Sequence, residues 1–290
     1  MRLGVETCQI RNKLGDREAI RQIRAAGFDC VDYSFHGTDG RWTMLGDDYR
    51  RYACELRGYM ETLGVGCTQT HAPFAFRFGG EFSPQEPNYR DIVRALEFSS
   101  LLGAQYVVVH SILTPAGVDL VEYNLRFFKS LEPYCRQYGV RIGFENIFDY
   151  DPYHRCMGRF ESPQLVRDFL ERLDSPWFVS CLDTGHAAIS GVEPAAFVRG
   201  MDARTLCLLH VQDTDYLDDR HQLPYLGRHD WADFAAALAE IGYAGDLTFE
   251  IPNYFRRMPA RLLPAALRMA EAVGREMIRQ VEEARGSAAP

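Results

Sequence analysis

The chain has 290 residues, 47% of them hydrophobic and 25% charged, with a net charge of -8 and a sequence pI near 5.5. Those values fit a globular chain with a sizeable core and give no support to a general nucleic-acid or membrane-binding surface. No run of 18 apolar residues occurs and "MRLGVETCQI" lacks a signal-peptide layout, so the chain is expected to be cytoplasmic and to span no membrane.

Apolar runs and helical segments then alternate. "RLGVET" (2–7) precedes "DREAIRQIRAAG" (16–27), which carries Ala19, Ile20, Ile23 and Ala26 on one side, with Asp16 placed to cap its start and Gly27 its end. Next come "FDCVDYS" (28–34), "VGCTQTH" (65–71), the helical "NYRDIVRALEFSSLLG" (88–103) and "QYVVVH" (105–110). "VRIGFE" (140–145) is followed by "SPQLVRDFLERL" (162–173), with Ser162 as cap and Pro163 at the first helical position. "WFVSCLD" (177–183) and "TLCLLHV" (205–211) lead to "DWADFAAALAEIG" (230–242), opened by Asp230 and closed by Gly242, and then to "DLTFEI" (246–251). The apolar runs are rich in Val, Ile, Phe and Cys, as buried parallel strands are.

Eight strand–helix pairs in about 250 residues predict one (β/α)8 barrel in the α/β class, with its active site at the C-terminal face of the strands. An open doubly wound sheet is the alternative, but no G-x-G-x-x-G follows the first strand and no P-loop is present. The barrel is assigned to residues 1–285, and 286–290, within "ARGSAAP", to a disordered tail. Eight cysteines without a C-x-x-C pair read as small buried thiols rather than a disulfide framework or structural zinc site.

Strands three to eight each end in a metal-capable group: His71, His110, Glu145, Asp183 with His186 just beyond, His210, and Glu250. In such a barrel these distant residues converge on one face. A lone histidine there would be read as structural, but a ligand-type residue at six consecutive strand ends would not. Several buried carboxylates repel each other and lose hydration, and a divalent cation removes that conflict. Glu145, Asp183, His210 and Glu250 make an oxygen-rich set with one imidazole, which suits Mn²⁺, Co²⁺ or Mg²⁺, with Zn²⁺ also compatible. Phe74, Phe76 and Phe78 are read as a pocket wall or a packed loop over the barrel mouth, Tyr33 as pocket-lining, and Trp231 as core. His36 and His229 are read as surface residues, and His154 and Arg155 as belonging to a solvated loop.

"FENIF", "SCLDTGHAA", "LLHVQDTD" and "LTFEI" resemble the xylose isomerase-like TIM barrels, a group of sugar phosphate isomerases and epimerases that includes ketose 3-epimerases, inosose dehydratase and endonuclease IV. "LDTGHA" is the most specific piece, followed by "DDRHQLPYLGRHDW" (218–231). The resemblance implies a metal held by Glu145, Asp183, His210 and Glu250, with Glu145 and Glu250 as catalytic proton carriers. It implies substrate contacts from His186, His71, His110 and Arg220. The implied reaction is isomerisation or epimerisation of a sugar, sugar phosphate or cyclitol through a metal-stabilised enediolate.

Endonuclease IV, which holds three zinc ions with nine ligands, implies a second set: the same histidines and carboxylates together with Asp219 and His221 of "DRH". More than one Zn²⁺ and a phosphodiesterase acting on abasic DNA would follow. The "LGVETCQ" opening and the "APFAFRF" and "SILTP" segments depart from that enzyme's pattern, so a small carbohydrate is the expected partner and nucleic acid the lesser alternative. An inosose dehydratase-like lyase and a non-catalytic barrel are the remaining readings, and a homo-oligomer is compatible with all of them.

Overall fold

The structure is a computed structural model describing residues 1–36, 45–74, 78, 82–151, 153 and 156–287. Phe76, His154 and Arg155 lie outside the described residues. In chain order the elements are β1 (Leu3–Glu6), α1 (Cys8–Leu14), α2 (Asp16–Ala26), β2 (Cys30–Ser34), α3 (Tyr49–Leu63), β3 (Gly66–His71), α4 (Pro87–Leu102), β4 (Tyr106–Val109) and α5 (Leu120–Tyr138). There follow β5 (Arg141–Glu145), β6 (Ile147–Tyr150), β7 (Cys156–Arg159), α6 (Pro163–Leu173), β8 (Phe178–Asp183), α7 (Thr184–Ile189) and α8 (Pro194–Arg199). The chain continues with β9 (Leu206–His210), α9 (Trp231–Glu240), β10 (Leu247–Phe249), α10 (Pro252–Arg256) and α11 (Leu263–Ser287).

Eight strands form one parallel sheet in the order β10, β1, β2, β3, β4, β5, β8, β9. The ring closes where Val211, just past β9, bridges Phe249 of β10. This is the (β/α)8 barrel expected from the alternation of runs. The insertion between β5 and α6 is an antiparallel hairpin of β6 and β7, where the sequence suggested only a loop. Among the described residues no helix is long and apolar enough to cross a membrane.

The helix ends follow local chemistry. Glu86 accepts from Tyr89 N at 2.6 Å ahead of Pro87, Ser162 accepts from Leu165 N at 3.3 Å ahead of Pro163, and Asp230 accepts from Asp233 N at 3.0 Å. Each side chain satisfies an orphan first-turn amide. At α2 the cap is Gly15, not Asp16, which instead sits in the first turn. The last helix runs to Ser287, so Gly286 and Ser287 of the expected tail are helical, and 288–290 lie outside the described residues.

Apolar side chains fill two spaces. The larger lies between barrel and helices, where Phe144 stacks on Phe169 with ring centroids 4.4 Å apart. The smaller is the barrel interior, where Val108, Val179, Cys181 and Leu208 meet. Gly143 permits that meeting, since a Cβ there would come 2.3 Å from Leu208 Cδ1. The interior is therefore a packed plug, and polar groups gather only above it. Tyr33 belongs to the outer core rather than the pocket: it is fully buried and stacks on Phe98. Trp231 is core, as expected, at 3% exposure. The cysteines form no disulfide, and Cys8, Cys30, Cys67, Cys135 and Cys181 are buried, although Cys54 is exposed.

Candidate metal centre and active-site cavity

The strands carry Glu6, Asp32, His71, Glu145, Asp183 and His210 to one end of the barrel, with His110 and Glu250 one residue past β4 and β10. Register explains the convergence: Glu6 lies beside Asp32, Ser34 beside His71, Glu145 beside Cys181, and Asp183 beside His210. Ligand-capable atoms of Glu145, Asp183, His210 and Glu250 all fall within 4.8 Å of one another, and all four residues are buried.

The histidines show how the set is built. A backbone carbonyl only accepts, so a ring nitrogen bonded to one carries the proton, and the other nitrogen of a neutral ring presents a lone pair. His71 Nδ1 lies 2.9 Å from Ala72 O, His186 Nδ1 3.0 Å from Asn146 O, and His221 Nδ1 3.1 Å from Glu250 O. His210 is fixed the other way round, its Nε2 lying 2.9 Å from Asp32 Oδ2. Its Nδ1 then points at Glu145 Oε1, 2.9 Å away, and Glu250 Oε2, 3.5 Å away. Ligand histidines are characteristically pinned in this manner through their second nitrogen.

Two further clusters flank the central four. His71 Nε2 and His110 Nε2 face each other at 3.1 Å, and lie 3.5 and 2.6 Å respectively from Glu145 Oε2. On the other side His221 Nε2 lies 2.9 Å, and His186 Nε2 3.7 Å, from Asp219 Oδ2. Gln212 links this cluster to the centre, donating through Nε2 to Asp219 Oδ1 at 2.9 Å and Asp183 Oδ1 at 3.1 Å. A Cβ on Gly185 would sit 2.3 Å from Gln212 Cδ, so the glycine of "DTGH" makes room for that link.

The electrostatics carry the strain of crowding. Burial pushes Asp183 up to about 7. Burial would raise Glu145 as well, but the imidazoles of His210 and His110 hold it well below the usual carboxylate range. Burial disfavours charge on His186, yet Asp183 and Asp219 raise it to about 10, while burial pushes His110 down to about 4. Among the described residues the ion pairs of Glu145, Asp183, Asp219 and Glu250 are all to histidines, none to arginine or lysine. Buried carboxylates and inward-facing imidazole nitrogens fit a divalent cation bound by Glu145, Asp183, His210 and Glu250.

The cluster opens on a cavity of about 600 Å³ lined by Glu6, Ser34, His36, Phe74, Phe148 and Arg159, among others. His36 therefore faces the cavity rather than bulk solvent. His229 is also not a surface residue: it is 8% exposed and packs against Trp231. Arg220 does not line this cavity; its half-exposed side chain pairs with Asp215 at 2.9 Å. Phe74 stands over the site, its ring centroid 4.8 Å from that of His110, while Phe78 packs in the outer core. Glu6, Asp32, Asn146, Gln212 and Arg159 are absent from the sequence-derived set. For the first two a signal exists, because the runs "GVE" and "CVDYS" place acids at the inward positions of strands one and two.

Residues 20–273 match the family model described as xylose isomerase-like TIM barrel. The uncharacterized protein MJ1311 of Methanocaldococcus jannaschii is 26% identical over 249 residues, covering 81% of this chain and 78% of that protein. A D-tagatose 3-epimerase-like protein superposes with a TM-score of 0.73 at 22% identity, covering 98% of this chain and 99% of the other. An IolI protein with a bound zinc atom gives 0.72 at 16%, with 98% and 99% covered. At these identities the superpositions show a common fold, and the family match extends over most of the sequence. The chain belongs to the xylose isomerase-like TIM barrel family.

Proposed function

We propose that this chain is a divalent-metal-dependent isomerase or epimerase acting on a small carbohydrate or cyclitol. The observation that carries the reading is the buried Glu145–Asp183–His210–Glu250 set, paired only with histidines among the described residues and opening on a sugar-sized cavity. The fold shared with a D-tagatose 3-epimerase-like protein and with a zinc-containing IolI supports it. A cation held by those four residues would supply Lewis acidity toward a carbonyl oxygen and acidify the neighbouring C–H. Glu145 and Glu250 flank His210 Nδ1 at 2.9 and 3.5 Å, so two carboxylates stand beside the same point. One removes the α-proton and the other returns a proton, to the same carbon for epimerisation or to its neighbour for isomerisation. His186 and His110 border the cavity and hold substrate hydroxyls, and Phe74 and Phe148 exclude water from the reacting carbon.

The test is α-proton exchange with D₂O across a panel of ketoses and inososes. Glu250→Gln should reduce exchange at least about 10²-fold, the scale of a lost general base, with an unchanged circular dichroism spectrum. Retained exchange in that variant would remove Glu250 from the mechanism.

A second reading is favoured by the two flanking clusters, His71–His110–Glu145 and His186–Asp219–His221, which would hold two further cations in a phosphodiesterase site. Metal analysis separates the readings: about one tightly held ion per chain against three Zn²⁺. Nicking of an abasic duplex without carbohydrate turnover would establish the second.

A further inference from the structure

Arg159 closes the β6–β7 hairpin directly across from Ile147, two residues beyond Glu145, and both residues line the central cavity. It is 7% exposed, and among the described residues its Nε and Nη1 have no hydrogen-bond partner. No carboxylate lies within ion-pair distance of it among the described residues. The acid that acts on it, Asp149, is itself exposed on the same hairpin. Burial lowers its pKa, yet a guanidinium remains charged throughout the physiological range. A buried, unpaired charge with idle donors is costly, and structures retain it where something else completes it.

A neutral polyol would satisfy single donors but leave the charge uncompensated. An oxyanion takes two parallel N–H bonds from a guanidinium edge and cancels the charge as well. The hairpin's other cavity-facing residues include Ile147, Phe148 and Asp149, and among the described residues Asp149 forms no ion pair with Arg159.

We propose that Arg159 receives an oxyanion, a phosphate ester or a carboxylate, on the end of the carbohydrate remote from the reacting carbons. The substrate class is then a phosphorylated or acidic sugar. This rests on the carbohydrate reading of the cavity. It adds a specificity residue that the pattern of strand ends does not contain.

The experiment measures calorimetric binding of D-fructose, D-fructose 6-phosphate and D-fructuronate to the metal-loaded protein. Wild type should bind at least one anionic probe about 10- to 100-fold more tightly than D-fructose, the range of a charge-assisted pair. The tighter of the two names the source of the oxyanion. Arg159→Met should erase that preference, Arg159→Lys restore part of it, and Arg159→Gln, which keeps a donor without the charge, behave as Met does. Equal binding of all three probes to wild type overturns the proposal. So does a preference that survives in a folded Arg159→Met protein, which would assign the anion to the metal instead. Anion preference without α-proton exchange would defeat the isomerase reading and leave this inference standing. Exchange without anion preference would do the reverse.

Discussion

At the scale of single residues, the site is built from side chains that fix one another. Asp32 accepts from Gln69 Nε2 at 2.8 Å and faces His210 Nε2 at 2.9 Å, so it sets which nitrogen of His210 looks toward the carboxylates. Asp32→Asn should weaken divalent-metal affinity about 10- to 100-fold, measured by competition with a fluorescent chelator, while leaving the fold intact. Glu6 has a different role. Burial, reinforced by Glu250 and Asp32, pushes its carboxyl up to about 7 from an ordinary 4.5. The folded state therefore holds a proton that the unfolded chain has released. Its contribution to stability is full below the unfolded value and is lost as pH rises through about 7. In metal-free protein Glu6 should account for roughly 3 kcal/mol of lost stability across that window, and Glu6→Gln should make the slope in urea titrations between pH 5 and 8 shallower, leaving the part that Asp183, also held near 7, contributes. A slope identical in wild type and Glu6→Gln would show that Glu6 ionises freely in the fold.

Among elements, the 213–231 segment after β9 depends on one carboxylate. Asp213 Oδ1 accepts from Thr214 N and Arg228 N, both at 2.9 Å, and Oδ2 from Tyr225 N at 2.9 Å and Trp231 Nε1 at 3.0 Å. An amide offers one accepting oxygen and two hydrogens that would confront those donors. Asp213→Asn should thus cost about 2–4 kcal/mol in denaturant unfolding and loosen the loop that presents Asp219 and His221. The barrel strands and their terminal polar groups were legible because buried parallel strands are apolar throughout and stop at a polar residue. The β6–β7 hairpin was not: it is short, and "DYDPYHR" interrupts its pattern, so Arg159 passed as loop. His229 and Tyr33 show a second limit. Polarity suggested a surface for one and a pocket for the other, but aromatic packing around Trp231 and Phe98 buried both. Arg220 illustrates the converse, since Asp215, five residues earlier on the same loop, holds its side chain outside the cavity.

For the molecule as a whole, α11 packs on α2 and α9, and so covers the junction between the first and last strands from outside. β10 pairs with β1 over three residues, whereas between β9 and β10 two backbone bonds are present among the described residues: Val211 N to Thr248 O at 2.8 Å and Glu250 N to Val211 O at 3.1 Å. His210 and Glu250 stand on either side of that sparse junction, with Nδ1 and Oε2 3.5 Å apart. An ion gripped by both would act as the buckle of a belt, fastening the cylinder where its weave is thinnest. Deuterium uptake at the Val211 and Glu250 amides should then slow on loading with metal and quicken on chelation, ahead of amides elsewhere in the ring. Uptake indifferent to the ion would mean the helices alone keep the belt closed. Otherwise the ion is a mechanical fastening too, and losing it to a chelator would slacken the cylinder.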